Sequence, residues 1–280
     1  MSKNSRFTFP KKGIKYLRQG LTYGMRSLSA IKRQSIANLN KFIVFAQGRS
    51  GSTLLIDLLN QHPDIKADPE IFNIDLYGKI AFPRPYLQGR LTLAAYQRKK
   101  CYGFKVKPYQ LTNDQQLTNA LTFIKEQHQA GFKIIHLQRQ NVFRQALSSV
   151  LAETTNVWHI HQKAPLSPAM PLIHPTNKIN VSPTDLLAKM RERQQYQHLE
   201  ATMLQNVPHL FLSYEQHLYN AQQQTAAMPL IFDFLEVNKE IIVESNLQKI
   251  TTTDWQKHVL NVEVVEKAVQ KAGYAHFLSP

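Results

Sequence analysis

The sequence predicts a three-layer α/β fold, with a central mainly parallel sheet flanked by helices, and three observations carry that prediction. Short apolar runs alternate along the chain with longer helical patterns. The connections between successive strand-like runs are long enough to hold crossover helices, which parallel pairing requires. The first run, 42–46, is apolar at every position, as suits a strand buried on both faces.

The elements follow in order. After 42–46 comes the turn GRSGST at 48–53, and Ser52 or Thr53 is expected to cap the next helix. In that helix Leu54, Leu55, Ile56, Leu58 and Leu59 leave little polar face, so it should be buried, and Pro63 stops it. "CYGFKVKPY", 101–109, reads as the second strand and 113–129 as a polar helix ended by Gly131. "FKIIHLQ", 132–138, is the third strand, followed by a helix over 141–158. The stretch 159–182 holds Pro165, Pro168, Pro171 and Pro175 and is long enough for a functional loop or lid. Ser182 as N-cap, Pro183 in the first turn and Asp185 after it open a helix reaching 206. A fourth strand spans 208–214, mostly helix 215–235, and a last helix 262–271.

Composition bounds the function. With 280 residues, 43% of them hydrophobic, the chain can bury a full core, and no apolar run nears the roughly 20 residues that span a bilayer. The expectation is a protein that is not integral to a membrane. The single cysteine, Cys101, forms no internal disulfide, and no apolar leader follows the first basic residues, so a cytoplasmic location is expected.

Net charge is +15, and nine basic residues lie among the first forty with no acid before Asp57. Residues 1–40 are therefore read as a basic N-terminal arm and 41–280 as the main domain. Within the arm Ile14, Leu17, Leu21, Met25, Leu28 and Ile31 recur at helical spacing, interrupted by Gly13, Gly20 and Gly24. Three readings stay open: an amphipathic helix at the inner face of an anionic membrane, a helix packed on the body or on another subunit, and an organelle transit peptide.

In parallel sheets ligands bind beyond the carboxyl ends of the strands, where GRSGST lies. Gly48 and Gly51 allow backbone conformations that let successive N–H groups converge on an anion. The following helix adds its positive end, Arg49 a planar cationic fork, and Ser50, Ser52 and Thr53 hydroxyls. A Walker A loop would carry a lysine after its second glycine, and here none follows Gly51. The third strand ends in "HLQRQN", with Arg139 where a magnesium-binding acid would be sought, and the fourth in "SYEQH" with Glu215 alone. A site rich in arginine and poor in acids suits a metal-free anionic donor, and sulfuryl transfer fits, because the moving group bears less charge than a phosphoryl group.

At these residues the sequence resembles the PAPS-dependent sulfotransferases, most closely the bacterial carbohydrate branch that includes nodulation-factor sulfotransferases. "QGRSGSTLLIDLLNQHP" is similar to the family's 5′-phosphosulfate loop, with Arg49 where cytosolic members have lysine. "HLQRQNVFRQALSS" is similar to its 3′-phosphate motif, which implies Arg139 and Ser148 as phosphate ligands. "LFLSYEQHL" and "FDFLEV" resemble a later segment with its YE pair. "LQKITTTDWQKHVLN" resembles the C-terminal nucleotide segment, making Lys249 a candidate, although the basic, glycine-rich form is missing. The resemblance implies a P-loop-like fold over 41–280 and PAPS as co-substrate with no metal.

Read for geometry alone, a bend before the helix lets Arg139 and Ser148 meet on one phosphate, with Arg144 and Ser149 as alternatives. The carbohydrate branch often places its catalytic glutamate a few residues after the first helix, which implies Glu70 of "DIKADPEIF" as general base, with Asp68 its near neighbour. Tyrosine follows the proline of "KVKPYQ", so the histidine base of the cytosolic branch has no counterpart there. Lys105 and Lys107 share one side of a strand and could reach the sulfonate, or could simply be solvated or helix-paired. His159 and His161 beside Trp158 could face a sugar ring or close the core.

The expected function is transfer of a sulfonate from PAPS to a hydroxyl of a carbohydrate or glycolipid acceptor, releasing PAP. Catalysis is assigned to Glu70, Arg49 and Lys107, and donor binding to Gly48, Arg49, Ser50, Gly51, Ser52, Thr53, Arg139, Ser148 and Lys249. The rivals are a nucleotide kinase or NTPase, and a non-enzymatic basic polyanion- or membrane-binding protein. No specific nucleic-acid partner is expected, and the sequence leaves acceptor and oligomeric state open.

Overall fold

The computed structural model describes residues 11–31, 33–158, 160–161, 178–248 and 254–279. It opens with helix α1 (Lys11–Ser27) and the short α2 (Arg33–Ala37), then strand β1 (Asn40–Ala46) and helix α3 (Ser52–Gln61). Strand β2 (Ile65–Glu70), helices α4 (Ile74–Tyr77) and α5 (Pro83–Tyr96), and strand β3 (Cys101–Val106) follow. After a π-helical turn at Gln110–Asp114 come α6 (Phe123–Gln129), β4 (Phe132–Gln138), α7 (Val142–Thr155), β5 (Ile160–His161) and α8 (Pro183–Met203). The chain ends with β6 (His209–Ser213), α9 (Tyr214–His217), α10 (Ala221–Phe234), β7 (Leu247–Gln248) and α11 (Val262–Lys271).

The main sheet has the order β2-β3-β1-β4-β6, and every pairing in it is parallel. This is the α/β architecture the alternating patterns predict. In β1, Phe42, Val44 and Ala46 join the core under α3 and α10, while Ile43 and Phe45 join the one under α5 and α6. Both faces of the strand are thus covered, which explains its unbroken apolar run. A third cluster, built by Phe143 and Leu147 of α7, Leu186 and Met190 of α8, and Val265 and Val269 of α11, lies beside these two. It presses α8 against α7 and so brings a helix from far along the chain to the carboxyl edge of the sheet.

Three expectations need correction. Residues 65–70 form an edge strand where the sequence reads as loop: β2 pairs with β3 through a bulge between Asp68 and Glu70, and Pro69 sits in it. Proline cannot donate to a ladder, so it hides a strand that an edge position nonetheless tolerates. The polar helix expected over 113–129 is helical only over Phe123–Gln129. Thr112 bonds the Pro108 carbonyl, Thr122 and Asn119 bond Glu126, and Gln116 takes φ 50°, so short polar side chains and a left-handed residue compete with the helix. The second strand stops at Val106 instead of 109. Among the described residues no helix is long and apolar enough to cross a membrane.

Residues 159 and 162–177, most of the proline-rich stretch, and Lys249 lie outside the described residues.

Candidate active site

Strands β3 and β4 flank β1 on either side, so the turn after β1 opens into the crevice between their carboxyl ends. Three successive carbonyls of that turn are tied to the protein. Ser50 Oγ donates to the Gln47 carbonyl at 2.8 Å, Gln145 Nε2 to that of Gly48 at 2.7 Å, and Arg139 Nη1 to that of Arg49 at 3.4 Å. In a trans peptide the N–H points away from the preceding C=O, so the amides of Gly48, Arg49 and Ser50 turn away from those bonds. The left-handed residues are Arg49 (φ 62°) and Gly51 (φ 88°). Gly48 does not need positive φ, contrary to expectation: arginine itself takes the hinge, a conformation uncommon for a side-chain-bearing residue. Gly51 is obligatory for a second reason, since a Cβ there would lie 2.5 Å from the Tyr214 ring.

Helix α3 begins at Ser52 with Gly51 as N-cap and no side-chain cap bond. The expected capping by Ser52 or Thr53 is therefore absent, because both residues already lie inside the helix. Its first-turn amides stay uncovered by any capping side chain, at the positive end of the helix dipole.

On one side of the turn arginines gather. Arg49 Nε donates to Ser148 Oγ at 3.1 Å and its Nη1 to the Trp158 carbonyl at 2.9 Å. The Arg139 guanidinium lies 4.9 Å above the centre of the Tyr214 ring, with Nε 4.0 Å from Glu215. Glu215 is also taken by the amides of Gln140 and Asn141, so it holds the β4–α7 turn in place. Burial and the charges of Arg139 and Arg193 push the Arg49 guanidinium down to about 10. Four buried or half-buried arginines, 49, 139, 144 and 193, thus sit together, with Glu215 near Arg139, Glu192 near Arg193 and Asp254 acting on Arg144, and they keep an excess of positive charge that an anion would relieve.

The second motif is resolved by this geometry. Arg139 and Ser148 do not bond each other; both are joined through Arg49. Ser148 goes with Arg49, while Ser149 accepts from Arg193 Nη2 at 3.2 Å, so the neighbouring serines serve different arginines. Among the described residues, buried Arg139 Nε and Arg193 Nε have no hydrogen-bond acceptor, and buried Gln47 Oε1 and Gln145 Oε1 no donor. Buried guanidinium donors without an acceptor, next to a turn whose amides no side chain caps, are groups that a phosphate- or sulfate-bearing ligand can satisfy.

On the other side lies the carboxylate. The β2 bulge sets Glu70 opposite Lys105. Its Oε1 is 3.0 Å from Lys105 Nζ and its Oε2 2.8 Å from Lys107 Nζ, and Gln110 Nε2 donates to Oε2 at 2.8 Å. Lys105 Nζ also donates to Thr53 Oγ1 at 3.0 Å, which ties this cluster to the first turn of α3. Burial pushes the Glu70 carboxyl up, but Lys105 and then Lys107 outweigh it and hold it at about 2. Burial lowers the Lys105 ammonium, whereas beside Glu70 and Tyr109 that of Lys107 is raised despite its burial. Asp68 faces the opposite side of β2, where Arg90 and Tyr102 (2.9 Å) hold it, which removes it as a near alternative.

Solved structures with a similar fold include the sulfotransferase from Alicyclobacillus acidocaldarius and sulfotransferase STF9 from Mycobacterium avium. The first is 15% identical, with 85% of this chain and 96% of that chain covered and a TM-score of 0.47. The second is 10% identical, with 96% and 86% covered and a TM-score of 0.41. No family model matches the sequence, and neither does any curated protein. Likenesses this distant leave the chemistry to be read from the side chains.

The fold therefore assembles Arg49, Thr53, Lys105, Lys107, Glu70, Arg139 and Ser148 around one turn. Arg193, Gln145 and Gln110 complete the site without having been singled out in the sequence, together with Tyr214 of the YE pair. Arg193 stands in "RERQQ", where its neighbours are charged or polar and nothing local marks it as buried. Only the packing of α8 on α7 buries it.

Proposed function

We propose that the chain transfers a sulfonate group from PAPS to a hydroxyl of a carbohydrate or glycolipid acceptor and releases PAP. One observation carries the reading: a single uncapped turn has an arginine cluster on one side and a carboxylate clamped between two lysines on the other. The cluster suits a donor with separated anionic groups. Arg49, the turn amides and Thr53 would hold the 5′-phosphosulfate, and Arg139 with Ser148 the 3′-phosphate. Trp158, half exposed beside Arg49, and the ring pair of Tyr109 and Tyr196 (5.6 Å) beside Lys107 supply apolar surface on which a sugar ring can lie.

In the reaction the acceptor oxygen forms a bond to sulfur while the bond from sulfur to the bridging phosphate oxygen breaks, and that phosphate leaves with the electron pair. The acceptor proton goes to Glu70. With both lysines on it, Glu70 at about 2 is a weak base. When Lys105 and Lys107 turn to the transferring sulfonate, their hold on the carboxylate loosens and its basicity rises. The two lysines then stabilise negative charge on the leaving side as it develops.

Thermal unfolding with and without PAP tests the donor assignment. PAP should raise the midpoint for the native chain, and Arg139→Ala should weaken PAP binding by roughly 10- to 100-fold, the worth of a charge-assisted hydrogen bond. An Arg139→Ala protein that binds PAP like the native chain would sink the donor assignment, and magnesium-dependent protection by ATP alone would turn it toward a nucleotide kinase. Transfer from radiolabelled PAPS should persist in the presence of a chelator, and the labelled fraction would identify the acceptor class.

A further inference from the structure

Helix α1 meets the body with its polar side. Lys15 Nζ donates to the Ile74 carbonyl at 3.2 Å, Gln19 Nε2 to the carbonyls of Lys79 (3.0 Å) and Tyr77, and the Tyr23 ring packs edge-on against Tyr86 at 5.7 Å. Thr22 is buried against Gly89 of α5, where a Cβ would come within 1.9 Å of the Thr22 carbonyl oxygen. The apolar face read from the sequence is turned the other way: Leu17 is 60% exposed, Leu21 64% and Tyr16 70%, with Ile31 beyond the helix at 73%. At about 100° per residue, Leu17 and Leu21 fall on one stripe, with Leu28 exposed just past the helix end, and Gly20 and Gly24 leave the side chains standing clear. A helix used only to cover a core would be rotated by half a turn.

Charge decides what this face fits. Arg18 is exposed on the flank of the stripe, Arg26 and, on α2, Arg33 are exposed nearby in the chain, and no acid occurs before Asp57. A second copy would set one acid-free basic helix against another, so self-pairing is opposed by like charge. The surface that is apolar and negative at once is an anionic lipid bilayer.

We propose that α1 docks on an anionic bilayer, with Leu17 and Leu21 at the acyl boundary, Leu28 just past the helix end beside them, and Arg18 among the headgroups. The contact is tied to the site. Asn73 bonds Glu70 and caps α4, and the carbonyls of residues 74–79 that follow receive Lys15 and Gln19 of α1. A bilayer under α1 would therefore lie on the Glu70 side of the protein, whichever group the site transfers.

Co-sedimentation of the full chain with vesicles tests this. Mixed phosphatidylcholine–phosphatidylglycerol vesicles should bind it, pure phosphatidylcholine vesicles far less, and added salt should weaken binding. The doubly exposed change Leu17→Gln with Leu21→Gln should reduce binding to mixed vesicles at least about tenfold while the unfolding midpoint stays unchanged. Absence of binding to mixed vesicles overturns the proposal. So does binding that ignores the leucine changes, which would be adsorption by charge elsewhere, and so does a concentration-dependent dimer in sedimentation that the same changes dissolve without any vesicle binding.

Discussion

Between Lys105 and Lys107, Glu70 is held at about 2 against its ordinary 4.5, a separation worth about 3 kcal/mol. Because the folded value lies below the unfolded one, this contribution is complete above pH 4.5 and is lost as pH falls toward 2. Acid titration of stability should show that loss in the native chain and much less of it in Glu70→Gln. The same substitution keeps the shape of the side chain but leaves buried Lys105 and Lys107 without their counter-charge. Urea unfolding at neutral pH should show a loss of about 3–5 kcal/mol, as for other broken buried pairs. Turnover by Glu70→Gln should fall about 10²- to 10⁴-fold if the carboxylate takes the acceptor proton. A variant that is destabilised yet turns over normally would leave Glu70 a purely structural clamp. The residue was legible as a candidate, but its partners were not. "KVK" and "DPE" lie over thirty positions apart in the chain, and only the β2–β3 register sets them opposite each other.

At the scale of the element, the turn between β1 and α3 works because its carbonyls are engaged from behind by Ser50, Gln145 and Arg139, while its amides are left to the crevice. Its glycines are unequal, although the motif presents them as a pair. Gly51→Ala must accept both a left-handed φ and a Cβ against the Tyr214 ring, and should cost about 1–3 kcal/mol in chemical denaturation. It should also disturb the Arg139–Tyr214 stack and weaken PAP binding. At Gly48 a Cβ would meet nothing closer than 3.9 Å, from Lys107 Nζ, so Gly48→Ala should leave stability within about 0.5 kcal/mol of native. If the two alanine variants unfold alike, the turn is not built this way. Helix α1 makes a similar point: periodicity gave its apolar stripe, but which way the stripe faces depends on Gly89 admitting the Thr22 backbone.

For the whole molecule, the only cysteine offers a direct probe. Cys101 opens β3, between edge strand β2 and central β1, fully buried, and burial pushes its thiol up to about 12. Native protein should resist iodoacetamide at neutral pH, and labelling should follow global unfolding in urea with the same midpoint as far-ultraviolet circular dichroism. Rapid labelling of the native chain would mean that the sheet opens locally at β3. The site itself is spread over the whole fold: the turns after β1 and β4, strands β2 and β3, helices α7 and α8 and the segment after β6 each contribute a side chain, so stability and function should be lost together when the sheet opens.

The sequence by itself determined the layering, because unbroken apolar strands, crossover lengths and turn residues are local signals of period and composition. It also showed that the turn after β1 carries two glycines, an arginine and three hydroxyl residues but no P-loop lysine, since residue type and spacing are written there in six letters. The tertiary structure alone decided that residues 65–70 are an edge strand despite Pro69, that Glu70 stands between two lysines, and that Arg193 is buried beside Arg49. It alone decided, too, that the apolar stripe of α1 faces outward. Each depends on pairing or packing between segments far apart in the chain, where no local pattern records which neighbour a side chain will meet.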